Sequence, residues 1–96
     1  MDRPNFPNSI KRYRLKFYPR PLNQDELSQL IGVQRCRLSL YEIGAVFPSG
    51  QMLFRLSAAL NVPPEVLYKQ FFDELRGELL EKKKQIGIFK RKNRWR

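Results

Sequence analysis

The chain has 96 residues, 19 lysines and arginines against 9 acids, a net charge of +10, one cysteine and no histidine. That length supports one small domain with little core to spare. Without histidine or a second thiol, an internal disulfide, a protein zinc site and the common nucleophile-and-base arrangements are not expected, so the chain does not read as an enzyme.

The charge is unevenly placed. Residues 1–24 carry six basic and one acidic side chain, residues 25–81 five and eight, and residues 82–96 eight and none. Two cationic ends around a mildly acidic centre favour a polyanionic partner. No apolar run suggests a secretory leader or a membrane span, so a cytoplasmic, nucleoid-associated chain is expected, with no membrane partner.

In chain order, the first strong pattern runs from Gln24 to Ile43, QDELSQLIGVQRCRLSLYEI. Asn23 is a good N-cap and Glu26 lies three residues on, at the capping-box spacing. Leu27 and Ile31 share one helical face, and Leu38 and Tyr41 share another. Ser28 is small where a second helix would cross. Gly32 falls at the turn, where a left-handed backbone costs glycine almost nothing, Val33 plugs the corner, and Gly44 can end the second helix. The spacing therefore predicts a helix, a tight turn and a second helix, a unit whose second helix can enter the major groove of DNA. Gln34, Arg35, Cys36, Arg37, Ser39 and Leu40 are not needed to bury that second helix. Arginine can pair bidentately with guanine and glutamine with adenine. Cys36 reads either as an inert small side chain or as a redox switch that blocks DNA binding. The core is expected to draw on most of Leu27, Leu30, Ile31, Val33, Leu38, Tyr41, Met52, Leu53, Leu56, Leu60, Val62 and Leu67.

From residue 66 to 80, Leu67, Tyr68, Phe71, Phe72, Leu75 and Leu79 recur at helical spacing, with Gly77 interrupting. This stripe can close the core, form a two-fold dimer contact, or lie on a membrane surface. Residues 85–96 alternate briefly around Ile86, Ile88 and Phe89, then become basic. They read as a short strand pairing with a second subunit, an arm settling on phosphates, or a solvated tail, with Trp95 able to stack on a base.

LNQDELSQLIGV at 22–33, QRCRLSLYEIG at 34–44, FPSGQMLFRLSAALNVP at 47–63 and PEVLY at 64–68 together resemble the Cro/C1-type helix-turn-helix domain of phage repressors and xenobiotic-response-element-like regulators. Gln24, Gly32, Glu42 with Gly44, Pro48 and the Leu53-Leu56-Ala59-Leu60 run occupy the positions that define that pattern. The resemblance implies an all-α, compact five-helix lambda-repressor-like domain over residues 9–68. An N-terminal arm (1–8), a C-terminal helical extension (69–84) and a basic tail (85–96) would flank it. Its helices would span 9–17, 24–31, 34–43 and 50–60, the last capped by Ser49, with a fifth starting at Pro64. Gln24 would contact phosphate. Gln34, Arg35, Cys36 and Leu40 would meet phosphate and base edges. A buried ion pair would join Arg14 to Glu42, with Arg12 or Lys16 as substitutes for the arginine. Asn61 stands where glycine is usual in that family.

The expected function is a sequence-specific regulator of transcription on double-stranded DNA, acting as a homodimer, with Arg35 and Arg37 as readers and no cofactor, metal or small-molecule ligand. A protein-interaction module of the antitoxin or adaptor kind, using the 71–79 face, and an RNA-binding protein are the alternatives.

Overall fold

A computed structural model describes residues 5–87; the expectations for Ile88, Phe89, Trp95 and the basic tail lie outside the described residues. Every regular element among the described residues is a helix: α1 (Ile10–Leu15), α2 (Gln24–Ile31), α3 (Arg35–Glu42), α4 (Gly50–Leu60), α5 (Pro64–Leu67) and α6 (Lys69–Gln85).

Local chemistry sets most of the boundaries. The Asn23 side chain accepts from the Glu26 backbone, and the Glu26 carboxylate accepts from the Asn23 backbone, so both halves of the capping box at α2 are made. At α4 only the first half is made: Ser49 Oγ accepts from Met52 N–H at 3.1 Å. α2 and α4 both end on left-handed residues, Gly32 at φ 80° and Asn61 at φ 59°. Asparagine tolerates that region because its short polar side chain bonds locally.

The other helices differ from expectation at their ends. α1 is shorter than 9–17, because the Arg14 carbonyl is taken by the N–H groups of Phe17 and Leu22. Its entry is bonded by Asn8, whose Oδ1 accepts from Ile10 N–H at 3.0 Å, while the Ser9 side chain makes no cap bond. α3 is one residue shorter at each end than 34–43, because Gln34 is extended and serves as the N-cap. The apolar run at 66–80 is not one helix. Tyr68, at φ −120° and ψ 53°, breaks it into α5 and α6.

The core draws on each of the first five helices. Ile10, Leu27, Ile31, Leu38, Leu56 and Leu67 are fully buried, each contributing about 1.5–3 kcal/mol relative to exposure. Leu30 departs from expectation and stands exposed. Leu27 and Ile31 take the core-facing positions of α2, which leaves Leu30 on the flank with Arg20 and Gln29. Ile10 and Leu22 enter the core from positions that the periodicity did not mark, and Tyr68 joins them from the 66–80 stripe.

A second, aromatic layer closes the base. Phe47 stands 5.3 Å from Phe6, 4.9 Å from Tyr68 and 5.2 Å from Phe71, centroid to centroid. Such pairs add about 0.5–1.5 kcal/mol each beyond their buried area. Residues 6–8 are held against the domain. Phe6 N–H bonds the Gly44 carbonyl at 3.0 Å, and the Asn8 amide bonds the Tyr41 carbonyl at 2.8 Å. Burial pushes the Tyr68 phenol pKa upward, and its hydroxyl has no partner among the described residues.

Two glycines should respond oppositely to a methyl group. At Gly77, in mid-helix, an added Cβ meets nothing within 4 Å, so Gly77→Ala is expected to raise stability by up to about 1 kcal/mol. At Gly32 the backbone is left-handed and the Cβ would lie 3.0 Å from Arg55 Nη1, so Gly32→Ala should lose about 1–2 kcal/mol. Urea denaturation of both variants measures the pair; a neutral Gly32→Ala would contradict the strained-turn account.

Candidate nucleic-acid interface

The crossing of α2 and α3 is built at a narrow corner. Ser28, buried on α2, folds its hydroxyl back to the Asp25 carbonyl at 2.9 Å, which leaves room for the second helix. Its own carbonyl accepts from both Gly32 and Val33 N–H. The last carbonyl of α2, that of Ile31, is met from α4 by Arg55 Nη1 at 2.9 Å. The turn is thus fastened from both sides, and the start of α3 is held at a set angle.

A polar network anchors the other end. Arg14 Nε donates to Glu42 Oε2 at 2.6 Å and Nη2 to Oε1 at 3.0 Å, a two-pronged pair with both side chains almost wholly buried. Arg14 Nη1 also donates to the Leu22 carbonyl at 2.9 Å. Pairing and multiple hydrogen bonds are what make two buried charges tolerable. Arg12 and Lys16, the possible substitutes, are exposed.

The network continues toward the surface through Gln24. Its Nε2 donates to Glu42 Oε1 at 2.9 Å, and its Oε1 accepts from Arg35 Nε at 3.3 Å. Asp25 Oδ1 lies 3.9 Å from the same Arg35 nitrogen. A chain of contacts therefore runs from α1 through the buried carboxylate to the first residue of α3. Sequence spacing alone did not show it, because its members are 11 to 28 residues apart. The one available signal was a glutamine opening α2 and a glutamate ending α3.

On the outer face of α3, Gln34, Arg35, Cys36, Arg37 and Leu40 are exposed and Ser39 is half-buried, while Leu38 and Tyr41 face the core. Cys36 Sγ lies 3.7 Å from Gln34 Oε1. Among the described residues Arg37 has no ion-pair partner. Among the described residues, too, no cluster of three histidine, cysteine or carboxylate side chains could hold a metal.

The two helix starts contrast in charge. α2 opens with a complete capping box and two carboxylates, Asp25 and Glu26, in its first turn. Arg20 further pairs with Glu26 at 2.6 Å. α3 opens with no side-chain cap and no acid, but with two arginines. Cations at the positive end of a helix are unfavourable by a few tenths to about 1 kcal/mol, and an incoming anion relieves them. The first turn of α2 is therefore acidic and the first turn of α3 basic.

Set against known proteins, residues 10–67 match a family model described as Helix-turn-helix. No curated protein matches the chain.

The hydrogen bonds from Arg20 and the Asn23 backbone hold the Glu26 carboxyl at about 2, below its ordinary 4.5. Its folded pKa lies below its unfolded one, so its contribution is complete above about pH 5 and fades as pH falls toward 2. Glu26→Gln should flatten this acid limb in urea midpoints measured from pH 7 to 2; an unaltered limb would remove Glu26 from the account. Arg14→Met strands a buried carboxylate and should cost about 3–5 kcal/mol, whereas Arg14→Met with Glu42→Met should cost clearly less. Equal losses in the single and double variants would show that the two charges are not coupled.

Proposed function

Because this chain belongs to the Cro/C1-type helix-turn-helix family, a family of DNA-binding regulators, we propose that it reads a specific duplex sequence with α3 in the major groove. The observation that carries this reading is the start of α3: exposed Gln34, Arg35 and Arg37 on an uncapped, acid-free helix end. In the proposed complex Arg37 and Arg35 meet base edges, and Gln34 with the α3 amides meets phosphate. Cys36, Ser39 and Leu40 fill the groove between them. Gln24 steers Arg35 through its oxygen while its amide nitrogen, already on Glu42, retains one proton for a phosphate.

Such a module covers few base pairs, so the chain acts as a homodimer on two half-sites about one helical turn apart or a multiple of it. This gives a regulator of transcription at home in the cytoplasm, on the nucleoid. The adaptor reading draws on the exposed apolar residues of α6, and the RNA reading on the cationic sequence ends. Competition between duplex DNA and RNA at fixed salt separates the latter.

Selection of bound duplexes from a random pool tests the reading directly: a two-fold symmetric site is the expected result. On that site Arg37→Ala should lose about 1–3 kcal/mol, with little change on random duplex. An equal loss on random duplex would leave Arg37 as a phosphate contact only.

A further inference from the structure

α6 leaves the head of the molecule at the Tyr68 break and carries no buried residue. Yet one face of it is apolar. Phe72, Leu75 and Leu79 on it, and Ile86 just past its end, are exposed at 43, 41, 54 and 69 %. Counted from Tyr68, they follow steps of four, three, four and then seven residues, the alternation of a coiled-coil seam. Lys82 holds the missing position between Leu79 and Ile86. At its head end the seam opens into an apolar cleft of about 220 Å³, where Phe72 and Leu75 meet Phe47, Leu53 and Pro64. Gly77 lies on the opposite, outer face, with nothing near it.

The charges beside the seam indicate what covers it. One flank carries Lys69, Arg76 and Lys83; the other carries Phe71, Glu78 and Gln85. If two copies ran antiparallel about the middle of α6, each flank would meet itself. Arg76 would face Arg76 of the partner subunit, Lys69 would face Lys83 of the partner subunit, and Glu78 would face Glu78 of the partner subunit. All three are like-charge encounters. If the copies run parallel and in register, opposite flanks meet, and Glu78 lies against Lys83 of the partner subunit, five residues further on. Symmetry makes that pair twice.

We propose that α6 is a self-association stem, in which a second copy of this chain packs parallel and in register along Phe72, Leu75, Leu79 and Ile86. This deepens the homodimer reading above and rests on it. Lys82 breaks the apolar seam at one layer, where it faces Lys82 of the partner subunit. Its long stem lets the ammonium leave toward solvent, and a single polar layer fixes register at some expense of stability. Leu80 lies off the seam and takes no part. A parallel stem keeps both heads at its Tyr68 end, so that two α3 helices can serve one duplex.

The test is a charge-exchange cycle on the full chain, read by sedimentation equilibrium at low salt without DNA. Glu78→Lys and Lys83→Glu should each weaken self-association by roughly tenfold, and the double variant should recover to near the starting value. These residues are exposed, so folding is preserved. Tighter association of Lys83→Glu alone would signal the antiparallel arrangement and overturn the proposal. So would a dimer that survives Leu75→Asp with Leu79→Asp, although the homodimer reading would then stand on another surface. A wild-type chain that stays monomeric even on its selected duplex would instead sink the homodimer reading itself.

Discussion

The arrangement of this molecule depends on one buried pair of charges. Arg14 and Glu42 are taken out of water together, and each is satisfied only where α1, the Leu22 carbonyl and the end of α3 meet. A buried ion pair adds little stability relative to a well-packed apolar pair, because desolvation offsets most of the Coulomb gain. It is far stricter about geometry. A carboxylate displaced by an ångström or two leaves a buried charge unpaired, which costs several kcal/mol. The pair therefore selects one placement of α3 relative to α1 and α2 from several that apolar packing alone would tolerate.

That strictness reaches the surface through Gln24. Its amide orientation is decided at both ends, nitrogen to the Glu42 carboxylate and oxygen to Arg35. Arg35 is thus an exposed guanidinium with a buried foundation. An arginine positioned in this way loses less side-chain entropy on meeting a ligand than one free to rotate. The opposite economy holds at the start of α3, where two arginines crowd the positive end of a helix that no acid or side chain caps. The free chain bears that local penalty, which an anion placed there would relieve. The two helix starts thus differ in charge: α2 opens capped and acidic, while α3 opens with two arginines and no acid of its own.

The aromatic layer links the helix-turn-helix to α6. Phe47 leads from α3 into α4, Phe6 comes from the segment before α1, and Phe71 stands in the first turn of α6. Tyr68 packs against the same Phe47 and holds the backbone out of helical geometry. The break at Tyr68 directs the remaining helix away from the head. The apolar residues beyond Phe71 are consequently withdrawn from the core, and their exposure follows from the turn in the chain.

Features that depend on neighbours within four residues were legible in the sequence. The capping box at Asn23 and Glu26, the left-handed Gly32 and Asn61, the Ser49 cap and the full extents of α2 and α4 follow from local hydrogen bonds and steric preference. These act whatever the rest of the chain does. The all-helical class and its helix-turn-helix family were legible for the same reason. Tertiary structure decided the rest. It put Arg14, rather than Arg12 or Lys16, on Glu42, left Leu30 outside, drew Phe6 and Asn8 onto the end of α3, and broke the apolar run at Tyr68. Each of these turns on a partner far away in the chain, such as a carboxylate 28 residues on from Arg14. The energy of such a contact exists only once the backbone has brought the two groups together, and no local pattern encodes it.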